Sequence, residues 1–284
     1  MNYPTHYFEW LDFWLEFYYR PAVKTDTYKI NSFNVKILKK HTENRLLVDV
    51  NEIYCQSILN EMRDNGYAKG SIQKVATILR QSLTRAKSCN CIEKIPTDLL
   101  IIPQAPTKRI KALEQEQQRK LEEVCQQVPK GELFLFLLDT GLRRKEMINL
   151  EWSHFNKKRR EIYVVDSKTE NGIRTIPLIT RAYNIIIQQE KSKNDNYIFH
   201  GAKGSKLSYD IMRKLYNRIR KLTGFHDFTN HVCRHSFATR LIEKNANPKS
   251  VAALLGHAKV EYALNIYTDL ERKHLTKEIH LLEK

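Results

Sequence analysis

Glu161-Ile-Tyr-Val-Val-Asp-Ser-Lys-Thr-Glu-Asn-Gly-Ile-Arg-Thr-Ile-Pro-Leu178 decides how the rest of the chain is read. On either side of it apolar residues recur at helical spacing; inside it the period becomes that of strands. Glu161–Asp166 and Ile173–Leu178 are rich in β-branched residues. Asn171-Gly172 between them signals a tight hairpin turn, because both residues tolerate positive φ. The chain is therefore expected to be mostly α with a small antiparallel β hairpin or sheet, an α+β fold. Lys168 falls at the start of the hairpin tip, where a long side chain can swing into a cleft.

Before the hairpin, Leu113 to Val128 and Gly131 to Thr140 read as helices, and after an interruption at Gly141 so does Arg143 to Trp152. From Thr180 onward the chain is again mostly helical, closing in a charged amphipathic helix from about Leu270. Farther upstream, Ile101-Ile-Pro-Gln-Ala-Pro-Thr-Lys-Arg109 has two prolines and no periodicity. That marks a linker, since proline fixes an extended chain and disfavours helix before it. The first hundred residues are helical by pattern. Phe8, Leu11, Phe13, Trp14, Phe17 and Tyr18 form one apolar series that Pro21 closes. Thr25 opens a second helix, with Tyr28, Ile30, Phe33, Val35 and Leu38 apolar. Val48 to Met62 gives a third, stopped by Asn65-Gly66. Lys69-Gly70-Ser71 opens a fourth, with Ser71 as N-cap, running to about Ser88. Residues 1–102 are thus expected to form one helical domain, 103–110 a linker and 111–284 a second domain.

Composition narrows the function. The 284 residues suffice for two ordinary domains, and 42% hydrophobic content with only 9 Gly and 8 Pro excludes a disordered or collagen-like chain. Lys+Arg number 48 against 32 Asp+Glu, a formal charge of +16 that points to a polyanionic partner, nucleic acid first. Residues 1–107 hold 14 Lys/Arg and 11 Asp/Glu, whereas residues 108–284 hold 34 and 21, so the second part carries most of the excess. In the first part, Lys69, Lys74, Arg80, Arg85 and Lys87 read as one basic helix face without an intervening acid, suited either to solvent or to DNA phosphates. Five cysteines, odd in number and without a CxxC pair, argue against a disulfide framework and fit a reducing cytoplasm. No apolar run approaches a membrane span, and the aromatic N-terminus lacks a signal-peptide pattern.

Arg143, Lys168, His231, Arg234, His257 and Tyr267 together hold the groups a metal-free attack on a phosphodiester needs. A tyrosine can attack phosphorus, and cations can hold the phosphate charge. Gly141 permits a tight turn before Arg143, and a guanidinium grips two phosphate oxygens without ever deprotonating. Arg144 and Lys145 are rival cations beside it. His231 and Arg234 lie three apart, on one helix face. His235, four residues from His231, raises a zinc alternative. That reading fails on ligands, because Val232 stands where the two-histidine zinc motif needs Glu and no nearby carboxylate supplies a third ligand. No metal or other cofactor is expected. Tyr262 is the rival nucleophile.

The order and spacing of these pieces resemble the tyrosine recombinase (phage-type integrase) family, strongly over about residues 110–275. Thr140-Gly-Leu-Arg-Arg-Lys-Glu146 resembles its first arginine box, TG-x-R-x-x-E. His231-Val-Cys-Arg-His235 resembles H-x-x-R-H, Leu255-Gly256-His257 matches LGH, and Asn265-Ile-Tyr267 follows at the spacing of the nucleophile. Ser167-Lys-Thr169 with Ile173–Leu178 matches the hairpin. Two departures stand out: Cys233 replaces the commoner leucine, and Asp269 stands where histidine often follows. The resemblance implies a two-domain DNA clamp, a helical core-binding domain plus a catalytic domain with a C-terminal docking helix. It implies Tyr267 as nucleophile, Lys168 as general acid, and Arg143, Arg234 and the histidines on the phosphate, with Glu146 supporting them. It also implies cutting and rejoining of duplex DNA through a 3′-phosphotyrosyl link and a Holliday junction, by a homotetramer on two sites, with a DNA-bending accessory protein as a further partner. Lys69, Lys74 and Arg80 become DNA-binding candidates. A phage or mobile-element integrase is the first expectation; a Xer-like resolvase, a type IB topoisomerase and a non-catalytic DNA-binding protein are the alternatives.

Overall fold

The computed structural model describes residues 3–107, 110–165, 172–190, 196–201 and 205–256, together with 261, 264–266 and 268. Asp166, Lys168, Asn171, His257, Tyr262, Tyr267, Asp269 and the closing helix lie outside the described residues. The chain divides into two compact units, Met1–Arg109 and Ile110–Lys284.

The first unit is helical. Helix α1 (Tyr7–Phe13) continues through a π-helical turn, Trp14–Tyr19, into the short α2 (Arg20–Ala22). The helical run stops at Ala22, one residue past Pro21, and Val23 is extended, so the proline closes this segment as expected. Then come α3 (Thr25–Lys40), α4 (Glu52–Asp64) and α5 (Lys69–Ser88). Tyr7, Trp10, Leu11, Leu38, Ile58 and Leu59 are fully buried in its core, and the Trp10 indole donates to the Ser82 carbonyl at 3.0 Å. On α3 the apolar residues divide: Val35 and Leu38 enter the core while Ile30 and Phe33 stay exposed.

Two helix starts differ from expectation. Helix α4 begins at Glu52 rather than Val48, because the Asn51 side chain accepts from Tyr54 N at 2.9 Å and caps it there. Helix α5 begins at Lys69 with Ala68, not Ser71, at the cap. A distant backbone group takes over there: Lys69 N donates to the Pro106 carbonyl at 3.0 Å. The proline-containing stretch thus lies along this unit, held also by Gln56, whose amide bonds both the N–H and the carbonyl of Ile101.

The second unit contains α6 (Gln115–Gln127), α7 (Glu132–Thr140) and α8 (Arg144–Ile148). A three-stranded antiparallel sheet follows: β1 (Phe155–Asn156), β2 (Glu161–Val164) and β3 (Arg174–Pro177), in the order β1-β2-β3. Ile162 pairs with Ile176 and Val164 with Arg174. Helices α9 (Thr180–Glu190), α10 (Tyr209–Thr223), α11 (Asn230–Glu243) and α12 (Pro248–Leu255) complete the described fold. Helix α7 is buried from Leu133 through Thr140 and packs on α9 and α11; a helix apolar all round belongs in a core.

The helix expected from Arg143 to Trp152 stops at Ile148. Residues 196–198 capture the backbone beyond it, with Ile198 N donating to the Leu150 carbonyl and Trp152 N to the Asn196 carbonyl, both at 2.9 Å. Strand β1, two residues long, was too short to show a period. Arg181 on α9 ties the helical layers together, donating to Asp139 on α7 and Glu122 on α6.

Candidate active site

Helix α7 ends on Gly141, whose φ of +63° turns the chain sharply. Arg143 follows in extended conformation as the cap residue of α8. Its backbone N–H donates to Glu146 Oε2 at 2.8 Å, and its Nη1 to Glu146 Oε1 at 2.6 Å. The rival cations point elsewhere, although the Arg144 charge still reaches His231: the Arg144 guanidinium sits over the Tyr209 ring, 4.5 Å from its centroid, and Lys145 is exposed.

Glu146 also holds a residue to which the sequence reading gave no role. Arg174, on β3, donates from Nη2 to Glu146 Oε2 at 2.9 Å and from Nη1 to Oε1 at 3.2 Å. The two side chains are only 6% and 3% exposed. Burial works to raise the Glu146 carboxyl, but the hydrogen bonds and charge of Arg174, with those of Arg143, hold it below its ordinary value. The support role read for Glu146 is thus visible as one carboxylate shared by two guanidinium groups.

Helix α11 supplies His231 and Arg234. Arg234 is buried at 4% exposure, donating from Nη1 to the Gly141 carbonyl at 2.8 Å and from Nη2 to the Leu255 carbonyl. Cys233 packs inward, fully buried, as read from the sequence. Three arginines converge on the end of α12, where Gly256 takes a φ of +65°. Arg174 Nε reaches the Leu254 carbonyl at 2.6 Å, Arg234 the Leu255 carbonyl, and Arg143 Nη2 the Gly256 carbonyl at 3.4 Å. The last carbonyls of a helix have no partner within it and carry the negative end of its dipole, so cations settle there. The turn that closes α12 thereby fixes the arginines relative to one another.

The field of this cluster reaches His231. Although the residue opens to solvent, its imidazole pKa is lowered, first by partial desolvation and then by the charges of Arg234, Arg143 and Arg144. His235 is pushed down further, to about 4, by burial and then by the charges of His231 and Arg234. Both are neutral near pH 7, and a neutral imidazole can accept a proton. Three guanidinium groups against one carboxylate leave this cluster cationic and ready for an anion.

The structure therefore brings together Arg143, His231, Arg234 and Glu146, and adds Arg174. The remaining members of the expected constellation, Lys168, His257 and Tyr267, lie outside the described residues. Gly256 borders His257 in sequence, Gly172 is four residues after Lys168, and Ile266, beside Tyr267, packs against the apolar cluster between α11 and α12. Among the described residues no group of three His, Cys, Asp or Glu could hold a metal ion, and no helix is long and apolar enough to cross a membrane.

Lys69, Lys74 and Arg80 belong to the first unit. All three are exposed on α5, with Arg80 Nη2 also donating to the Leu100 carbonyl at 3.2 Å. At about 100° per residue the basic residues do not form a single stripe. Lys69, Arg80 and Lys87 follow one edge of the exposed face, Lys74 and Arg85 the other, and the exposed Gln73, Thr77, Gln81 and Thr84 lie between. A cleft of about 440 Å³ adjoins the C-terminal half of this face, where Arg80, Gln81, Thr84 and Arg85 meet Tyr18 and Tyr19 of the π turn.

The family described as the phage integrase family matches residues 109–274. A tyrosine recombinase XerC-like protein of Caldanaerobacter subterraneus subsp. tengcongensis is 25% identical, covering 82% of this chain and 71% of its own length. The transposase from transposon Tn916 of Enterococcus faecalis is 24% identical, covering 91% and 75%. Among solved structures, the Tn1549 transposon integrase in complex with a circular intermediate DNA superposes with a TM-score of 0.78 at 20% identity, over 96% of this chain and 99% of that one. A lambda integrase dimer bound to a COC′ core site gives 0.77 at 20% identity, over 93% and 78%. At such identities the structural likeness speaks for the fold.

Proposed function

The chain belongs to the phage integrase family, and from that membership together with the arginine cluster we infer a site-specific DNA recombinase of the mobile-element integrase kind, cutting and rejoining DNA. The carrying observation is the convergence of Arg143 and Arg234 on one helix end beside a neutral His231. Such an arrangement suits a phosphodiester: buried or backbone-anchored guanidinium groups are preorganised, and preorganised charge is what stabilises a transition state that gains negative charge.

In the proposed reaction the Tyr267 hydroxyl attacks the scissile phosphorus and its proton passes to His231. The tyrosyl–phosphorus bond forms as the bond to the 5′ oxygen breaks, and Lys168 protonates that oxygen. Arg143, Arg234 and His257 hold the non-bridging oxygens. The covalent link conserves the energy of the broken bond, so the reverse attack by a 5′ hydroxyl reseals the strand without ATP. A tetramer on two duplex sites, passing through a Holliday junction, is the proposed assembly; a solved structure of lambda integrase is a tetramer bound to a Holliday junction. A DNA-bending accessory protein and a cytoplasmic setting remain part of the proposal.

In the first unit we place DNA on α5. Its edge cations Lys69, Lys74 and Arg80 take backbone phosphates, while Gln73, Thr77, Gln81 and Thr84 between them face base edges. Amides and hydroxyls read bases, and lysines position the duplex.

The test is a nicked suicide substrate carrying a site selected by binding, incubated with wild type and with Tyr267→Phe. An SDS-resistant protein–DNA adduct in wild type alone is the expected result. An adduct that survives Tyr267→Phe moves the nucleophile to another residue, Tyr262 first. Tight binding with no adduct leaves a DNA-binding protein and ends the strand-cleavage reading.

A further inference from the structure

We propose that Arg174 is a positioning residue for strand cleavage, a role that rests on the recombinase reading above. Its four donor contacts tie its own hairpin strand to two distant segments, three in all. Nη1 and Nη2 grip the two oxygens of Glu146, 28 residues away on α8. Nε reaches the Leu254 carbonyl, 80 residues away at the end of α12. Nη1 also donates to the Gly172 carbonyl at 2.9 Å, at the return of the hairpin.

Each of these segments leads to a different part of the site. Glu146 fixes Arg143 through both its backbone and its guanidinium. In sequence, Leu254 is three residues before His257, and Gly172 is four residues after Lys168. One planar guanidinium therefore sets the phosphate-binding arginine, the chain entering His257 and the base of the Lys168 hairpin in a common frame. With its side chain 6% exposed and paired to a carboxylate, Arg174 does not itself face DNA. Lysine cannot substitute, because one ammonium on a flexible stem lacks the fixed fork that spans all three segments.

The experiment measures single-turnover adduct formation at saturating DNA for wild type, Arg174→Lys, Glu146→Gln and the double variant, together with DNA affinity and thermal unfolding. A positioning role lowers the rate constant while the full amplitude of competent enzyme and an affinity within about twofold are kept. Misplacement by an ångström costs on the order of 100-fold in rate, and that is the size of loss expected for Arg174→Lys. The double variant is expected to be no slower than the worse single one, because residues acting as one unit are not additive. A fall in amplitude at an unchanged rate constant would show a merely structural arginine and overturn the proposal. So would a wild-type rate in Arg174→Lys, or losses that simply multiply in the double variant. Absence of adduct from wild type is a different result: it removes the strand-cleavage reading, and this proposal with it.

Discussion

At Gly141 an added Cβ would lie 2.5 Å from the Phe237 ring and 3.0 Å from Leu255, at a φ where side chains are strained. Its carbonyl also accepts from Arg234. Gly141→Ala is expected to cost about 2 kcal/mol, combining the left-handed penalty of ~1–2 kcal/mol with displacement of Phe237. Calorimetry should show a melting point ~4–8 °C lower for the second unit, with cleavage falling further than stability. The histidines give two pH predictions. With the His231 pKa lowered in the free protein, the acid limb of the cleavage rate at subsaturating DNA, which reports the free enzyme, belongs below about pH 6.5, the ordinary histidine value; a limb at or above it would remove His231 as proton acceptor. For His235 the unfolded chain takes up its proton first as pH falls. Stability is therefore intact above about 6.5, declines towards about 4, and is flat below. Denaturant titrations at pH 7 and 5 should show a smaller loss in His235→Gln than in wild type. Arg143 and Arg234 were legible in the sequence, since each sits in a local box. Arg174 was not: alternation places it on the inward face with Ile176, but nothing local says what would neutralise it there, because its partners are 28 and 80 residues away.

Helix α5 carries its character at the level of the whole element. Substituting Lys74 should weaken binding to all DNA sequences alike and reduce the slope of affinity against salt by about one. Gln81→Ala should instead relax preference at one base position, a loss of ~1–3 kcal/mol in discrimination with little change in salt slope. Equal effects of the two substitutions on every sequence would remove the division into edge cations and central readers. The helical layers of the second unit depend on a different device. Asp139, 5% exposed, faces Arg181, which also holds Glu122. Removing Arg181 strands the buried Asp139 charge, but Arg181 itself is 35% exposed, so Arg181→Ala should cost about 2 kcal/mol in denaturant unfolding, below the figure for a fully buried pair. The triple replacement Arg181→Met, Asp139→Leu, Glu122→Leu should cost less. Periodicity gave ranges for the three helices before the hairpin and, after Thr180, only the expectation of a mostly helical chain. Helix ends were less visible, because Lys69 is satisfied by Pro106 and residues 150–152 by 196–198, contacts that local sequence does not announce.

Each compact unit has its own apolar cluster. Tryptic cleavage beside the exposed Lys111 is expected to release two pieces with separate unfolding transitions. Each piece alone should bind its DNA site about 10²–10⁴-fold more weakly than the intact chain, the usual gain from linking two modules. Affinity of the C-terminal piece equal to that of the whole chain would show that the first unit adds no contact. Charge, helical period, the hairpin signal and the spacing of Arg143, His231 and Arg234 were determined by the sequence itself. Periodicity and short motifs are local, and net charge is a sum that needs no coordinates. Arg143 and Arg234 were expected to meet; only the tertiary structure added Arg174 and showed what anchors all three, the last turn of α12 and one buried carboxylate that can satisfy them there. That anchoring depends on chain segments brought close by folding, so no local pattern encodes it.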